Sequence, residues 1–413
     1  MKGKLSNLNR YHFTAVLFIV FIFISLITTL YSNFVSDNKQ AKDIYRSYLN
    51  KNFSISHKVK SSLQTGIKII NNLDTNLQYK EEYTDIYGFV QNAIGSRYVI
   101  DASGIDKGVV KLDNGYITSV VKKNDKLVKK GAKNLEDFSD FLSKKGTDYI
   151  FILAPYKIKE NDKKLPISIE DYSNENANKL LKELDKRNID YLDLRKVIKE
   201  QGLDHYSMFF ATDHHWRPEA GLWATKEICK ELNNNYGFSI DTKLLDKENY
   251  EVTCYKDLFL GSRGKRVGQY YAGVDDFTII VPKFKTSFDT RILRRNGSKS
   301  HRKGSFKKTF IVKANLKKDY YNINTYAAYT GGDYPLQVIK NKKNHSGKKI
   351  VFLRDSFSCV VTPYFSLAAC SELHVIDPRH YKKSIRDYIN KVDPDIVISL
   401  HNCNFEPSYF KIK

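Results

Sequence analysis

Cysteine is scarce and poorly placed for its usual roles. The chain has 413 residues and five cysteines, at 229, 254, 359, 370 and 403. Their number is odd and their spacing matches no metal-ligand pattern, so no disulfide framework or thiolate metal site follows. A mostly reduced, structurally incidental set is expected. No HExxH or comparable metal spacing occurs, and no internal repeat is visible. Charge is absent between Arg10 and Asp37. Acidic residues are outnumbered, 46 against 68 Lys and Arg, giving a net charge of +22. Much of that excess is Lys beside abundant Asn, Ile and Tyr, a compositional habit, so nucleic acid is not an expected partner.

What is present is the composition of a globular chain, 41% hydrophobic and 28% charged, which excludes a disordered one. The uncharged stretch contains "FTAVLFIVFIFISLITTLY", residues 13–31. At 1.5 Å per residue it is long enough to cross a bilayer's hydrocarbon core. Lys2, Lys4 and Arg10 precede it, which keeps residues 1–12 in the cytoplasm and exports everything after Tyr31. A cleaved signal peptide is the alternative, but its apolar run is usually shorter and ends in small residues. Residues 32–77 are polar with Leu63, Ile67 and Ile70 at helical spacing, and read as a partly helical stalk.

From about residue 78 onward the chain reads as one α/β domain. "YGFVQNAIGSRYVIDASG" and "GVVKLDNGYITSVV" look like short β runs cut by Gly and Asn. Residues 135–144 read as helix, "DYIFILAP" as a buried strand, 177–188 as helix and 189–194 as strand. The alternation resumes with strands at 348–353, 373–377 and 396–400, and a helix at 381–392. Strands alternating with helices predict a parallel sheet covered on both faces. Residues 239–345 between the halves form a β-leaning, basic insert. Within it, residues 283–308 hold a single acid, Asp289. Such a run is a solvated loop or, outside the membrane, an electrostatic guide for anionic polymers.

Two motifs carry chemistry. "ATDHHWRPEAG", residues 211–221, places Asp213, His214, His215 and Trp216 directly before a helix that Pro218 can open. In an extended segment residues two apart project to one side, so Asp213 can hold one imidazole nitrogen of His215. The other nitrogen is then free to take a proton from a serine. A metal site built from Asp213, His214 and His215 with His401 or His380, and a purely structural knot, are the alternatives. In "IVFLRDSFSCVV" a buried strand ends at Arg354-Asp355-Ser356. Sites in open α/β sheets lie beyond the carboxyl ends of strands, and a serine at a helix start faces free N–H groups. Ser356 therefore has a nucleophile's position, or that of a helix cap.

Together these motifs resemble the DHHW family of bacterial exported proteins, which is related to the alginate O-acetylation proteins and more distantly to SGNH hydrolases. "YGFVQ", "LDNGYIT", "FILAPYK", "YLDLRKVI", "MFFATDHHW", "GSRGKRVGQYY", "TGGDYP", "FLRDSFS" and "HVIDPRHY" fall in the family's order. The resemblance implies a flavodoxin-like SGNH-type domain over 78–413, outside the membrane, acting on acyl groups of surface polysaccharides without a cofactor or metal. By position, Asp213 orients, His215 is the base and Ser356 the nucleophile. His214, Trp216, Arg354 and Arg379 are supporting residues, Arg354 standing where ordinary SGNH enzymes have Gly. Gly331, Gly332 and Asn402 are candidates for the oxyanion hole. The expected activity is a membrane-anchored O-acetyltransferase or acetylesterase, supplied with acetyl groups by a membrane-bound O-acyltransferase. A noncatalytic polysaccharide-binding or assembly protein is the rival, and a metal-dependent hydrolase the lesser one.

Overall fold

The computed structural model describes residues 79–100 and 108–412, with Val20, Phe23, Ile24 and Ile27 from the N-terminal stretch. Apart from those four helical residues, the expected membrane segment and stalk lie outside the described residues. Among the described residues no helix is long and apolar enough to cross a membrane. The chain divides into two compact units, Met1–Thr84 and Asp85–Lys413, and the candidate site belongs to the second.

Its centre is an eight-stranded mixed sheet. In chain order the strands are β1 (Asp148–Ala154), β2 (Tyr191–Asp193), β3 (Phe288–Leu293), β4 (Lys299–Gly304), β5 (Leu336–Asn341), β6 (Lys349–Arg354), β7 (Glu372–Ile376) and β8 (Ile396–Asn402). They lie in the order β2-β1-β8-β6-β7-β5-β3-β4. The five strands from β2 to β7 are parallel. The parallel strands are apolar on both sides, as burial on two faces demands. Ile150, Ile152, Phe352 and Ile398 enter one core with α5 (Pro218–Asn235) and α6 (Thr362–Ala368). Tyr149, Phe151, Leu353 and Val397 enter the other, against α2 (Asp125–Ser143), α3 (Ser173–Asp185) and α7 (Ile385–Val392). The short α4 (Leu194–Glu200) follows β2.

Two expectations need correction. The sheet is not parallel throughout: β5, β3 and β4, all from the basic insert or its end, extend it antiparallel beyond β7. Antiparallel strands can leave one face to water, which is why their polar sequence hid them. Another pair from the insert, Tyr250–Phe259 and Asp275–Pro282, forms its own two-stranded sheet. Secondly, "YGFVQNA" is not β-structure but lies in α1 (Lys80–Ala93), whose first turn carries Glu81 and Glu82 at the positive end of the helix dipole. Gly88 fixes its position, since a Cβ there would stand 2.0 Å from the Val267 carbonyl oxygen. The β-type runs after it do form a small sheet, Tyr98–Val99, Val109–Lys111 and Ile117–Thr118. All five cysteines are free.

Candidate active site

The Asp-His-His-Trp segment is a tight turn. Phe209 and Trp216 pair as an isolated antiparallel bridge, the Phe210 N–H reaches the His215 carbonyl at 3.3 Å, and the Arg217 N–H reaches Met208 at 2.7 Å. Asp275 clamps the turn from outside. Its buried carboxylate accepts the Ala211 and Thr212 N–H groups, both at 2.8 Å, and the Thr212 hydroxyl at 2.6 Å. From below, the Lys157 ammonium donates to the Ala211 carbonyl at 3.1 Å and to Ile117 at 2.8 Å. Pro218 then opens α5, and Ala220, Ala224, Ile228 and Leu232 face the core.

Within this turn Asp213 and His215 meet, though not as two neighbours on an extended strand. One carboxylate oxygen of Asp213 accepts the His215 backbone N–H at 2.9 Å and lies 2.5 Å from His215 Nδ1. This is an Asx-type turn closed by the imidazole itself. The other oxygen accepts the Ser262 N–H at 2.5 Å. Burial alone would raise the Asp213 carboxyl, but the His215 and His214 rings and the Ser262 N–H outweigh it and hold it well below the usual carboxylate range. Asp213 is therefore a buried, fixed negative charge.

The second half arrives on the other motif. β6 ends at Arg354, and Asp355 caps the short helical turn Ser356–Val360 by accepting the Phe357 N–H at 2.9 Å. Ser356 Oγ stands 2.7 Å from His215 Nε2. Asp213, His215 and Ser356 thus form one continuous hydrogen-bonded line beyond the carboxyl end of a central strand. The Ser356 N–H has no acceptor among the described residues and sits at the start of the turn. Ser356 is half-buried, whereas Asp213 is 2% exposed and His215 8%.

The supporting residues divide by what they touch. The Trp216 indole N–H donates to the Phe357 carbonyl at 2.8 Å. The His214 ring lies 3.7 Å from that of His215, with its Nδ1 2.9 Å from Ser262 Oγ. Burial holds His214 well below the ordinary imidazole range, and the neighbouring His215 adds to this. The fully buried Arg354 guanidinium binds Asp333 at 3.0 Å, the Gly332 carbonyl and Cys359 Sγ at 3.1 Å, and the Asp355 carbonyl at 3.3 Å. Arg379 forks onto Asp377 and reaches the second oxygen of Asp333 at 3.0 Å. It is an ion-pair residue that ties two loops together. Burial works against Asp333, yet Arg354 and Arg379 hold its carboxyl down at about 2.

The oxyanion candidates fare differently. Asn402 turns its amide to Asp355 at 2.7 Å and donates its backbone N–H to the same carboxylate at 2.8 Å. The Gly331 N–H is engaged by the Tyr329 carbonyl at 2.7 Å. The Gly332 N–H has no acceptor among the described residues, and φ of +107° there suits glycine. For a metal, the ligand atoms of Asp213, His214 and His215 lie within 4.8 Å of one another, but a cation would have to displace the bonds to Ser262 and Ser356. His401 and His380 do not join that group. His401 stacks on Tyr409 at 4.4 Å, and its burial pulls it down to about 3.

Four neighbours of the site carry no sequence signal of their own: Tyr326, Asp275, Lys157 and Asp333. Tyr326 stacks on the His215 ring at 4.0 Å and 12°. Asp275 and Lys157 hold the turn. Lys157 lies in "FILAPYK" and Asp333 in "TGGDYP", but the partners that place them, the Ala211 carbonyl and Arg354, are distant in sequence.

Comparison with known proteins bears on the whole arrangement. Residues 116–255 match the model of the family described as SGNH hydrolase-like domain, acetyltransferase AlgX. That span holds Asp213, His215 and Trp216 and ends before Ser356. Bacillus cereus PatB1 superimposes with a TM-score of 0.62 at 22% identity, covering 76% of this chain and 99% of that one. PatB1 carrying a sulfonyl adduct gives 0.61 at 21%, covering 74% and 99%. A DHHW family protein from Eubacterium siraeum gives 0.55 at 18%, covering 76% and 97%. No curated protein matches the chain in sequence. The resemblance to DHHW and alginate O-acetylation proteins drawn from the two motifs stands, and the fold is SGNH-like.

Proposed function

We propose that the chain is an extracytoplasmic O-acyltransferase, working through an acyl-Ser356 intermediate on hydroxyl groups of a cell-surface or secreted polysaccharide and held at the membrane by residues 13–31. The observation that carries this reading is the unbroken line from Asp213 through His215 to Ser356, at 2.5 and 2.7 Å. The family of acetyltransferases matched by residues 116–255 supports the group transferred.

The chemistry follows from the geometry. His215 Nε2 takes the Ser356 proton as Oγ attacks the acyl carbonyl, and the ionised Asp213 stabilises the imidazolium. The Ser356 N–H faces the developing oxyanion. Collapse breaks the bond to the donor's alkoxide, which takes the proton from His215 and leaves an ester on Ser356. An acceptor hydroxyl repeats the sequence in reverse, with His215 first as base and then as acid. Water in place of that hydroxyl makes the same site an esterase. A membrane-bound O-acyltransferase is the donor this reading requires outside the cell.

Ser356→Ala tests it. The substitution removes one half-buried oxygen and should leave the fold intact, while abolishing acetate release from p-nitrophenyl acetate and the mass increase on treatment with phenylmethylsulfonyl fluoride. A variant that turns over and labels like the parent leaves Ser356 merely the first residue of the turn that Asp355 caps, and the noncatalytic reading prevails.

A further inference from the structure

The antiparallel extension covers only one of its faces. Thr290 and Ile292 of β3 turn inward and are buried. Directly paired residues share a face, and the register places His301, Arg291 and Val338 in one row of the opposite face and Lys299, Leu293 and Leu336 in the next. Between this bare face and α7 opens a cleft of ≈ 890 Å³, a size typical of ligand sites. Its floor is apolar, formed by half-buried Leu293, Leu336 and Val338. Its far wall is aromatic. Tyr381 meets Tyr388 at 5.8 Å and 71°, and the Tyr388 hydroxyl is fixed 2.8 Å from His374 Nδ1.

The charge around this cleft is one-sided. One row further along, acids and bases cancel: Asp289 holds His301 at 2.7 Å and Lys303 at 3.4 Å, and Glu372 holds Lys340 at 3.0 Å and His374 at 2.9 Å. Of the cleft's lining residues, His301 is the one paired with Asp289, Asp387 is the acid, and Arg291, Lys299, Lys383 and Lys391 have no ion-pair partner among the described residues. The basic run read from the sequence thus contributes Arg291 and Lys299 to a built groove rather than to a solvated loop. Its upper end is close to the candidate site along the chain. Leu336 follows Asp333 by three residues and Tyr381 follows Arg379 by two, and Asp333 and Arg379 are bridged beside Arg354.

We propose that this cleft binds a strand of a polyanionic glycan. Its carboxylate or phosphate groups lie on Arg291, Lys299, Lys383 and Lys391, and its sugar rings cover the apolar floor and face the tyrosines. A neighbouring stretch of the same strand is thereby presented to Ser356. That last step rests on the acyl-transfer reading; the binding itself does not.

The test uses the full chain in detergent, carrying Ser356→Ala so that nothing turns over. Fluorescently labelled polygalacturonate supplies carboxylates on sugar rings, a phosphodiester-linked hexose polymer supplies phosphates on sugar rings, and dextran and a single-stranded DNA oligonucleotide serve as comparisons. At least one anionic glycan should bind with an affinity that falls steeply with salt, and the stronger of the two identifies the anion. Arg291→Glu with Lys299→Glu, and separately Lys383→Glu with Lys391→Glu, should each weaken it tenfold or more. Replacement of the same pairs by Gln, which keeps length and polarity, should give an intermediate loss at an unchanged melting temperature. Unaltered affinity in the charge reversals, or dextran or DNA binding as tightly as the glycans, overturns the proposal. Charge-dependent glycan binding by a chain whose Ser356 form shows no ester turnover would sink the acyl-transfer reading alone, and turnover without such binding would sink only the cleft.

Discussion

Trp216 donates its indole N–H to the Phe357 carbonyl at 2.8 Å, joining the residue after His215 to the residue after Ser356. Both side chains are fully buried, with ring centroids 5.4 Å apart. The 2.7 Å approach of His215 Nε2 and Ser356 Oγ is therefore held from outside by a bond between their covalent neighbours. Trp216→Ala should lower stability by about 3–5 kcal/mol and lower turnover with it. His215→Ala should reduce ester hydrolysis on the order of 10²–10⁴-fold, a far larger loss than its drop in melting temperature explains, that drop coming from the buried Asp213 carboxylate left without its imidazole. His214→Ala, which touches His215 and Ser262 but not Ser356, should weaken activity only partly. Melting curves and p-nitrophenyl acetate hydrolysis on the three variants decide it. Equal loss at His214 and His215 with the fold intact would remove the relay and restore the metal site.

Gly261 makes the Asp213 side of that relay possible. A Cβ on Gly261 would stand 2.3 Å from Asp213 Cβ and 2.5 Å from its Cα. Backbone atoms there cannot swing away as a side-chain tip would. The Gly261 N–H also donates to Thr212 at 2.7 Å, and the next N–H, of Ser262, binds the Asp213 carboxylate. Gly261→Ala should thus push Asp213 off His215 and reduce turnover on the order of 10²-fold, the expected effect of a displacement near 1 Å. Parent-like kinetics in this variant would show that Asp213 does not orient His215.

The residues that sequence alone could read are those whose role is local or whose pattern repeats. β1, β6, β7 and β8 announce themselves as apolar runs because both of their faces are buried, and the Asp-His-His-Trp turn is contained in eleven residues. The antiparallel strands β3, β4 and β5 were legible only as a β-leaning stretch, since one face is wet and carries Lys and Arg. Asp275 was invisible because its partner Thr212 is 63 residues away. Tyr326 lay beyond the reach of pattern for the same reason, since its ring finds His215 only through the fold. The Asp213–His215 contact is legible in the spacing, but a turn, rather than an extended segment, brings the two groups together.

Lys157 supplies a different kind of test, because it is a fully buried amine whose hydrogen-bond partners among the described residues are the Ile117 and Ala211 carbonyls. Burial pulls its ammonium down to about 7, with Asp213 and Asp275 working in the opposite direction. In the unfolded chain the same group titrates at about 10.4. Between these two values the unfolded chain holds a proton that the folded chain lacks, so Lys157 makes stability rise with pH across this window, by up to about 1.4 kcal/mol per unit. Below about pH 7 both states are protonated and the slope vanishes. Lys157→Met removes the titrating group, so the unfolding free energy of the parent relative to the variant should grow from pH 7 to pH 9 and stay level from pH 5.5 to pH 6.5. Urea titrations at these values measure it. Turnover should fall at every pH, because the Ala211 carbonyl, two residues before Asp213, loses its anchor. Parallel stability curves for parent and variant across pH 7 to 9 would mean that Lys157 keeps its proton in the folded chain, held by Asp213 and Asp275 against the pull of burial.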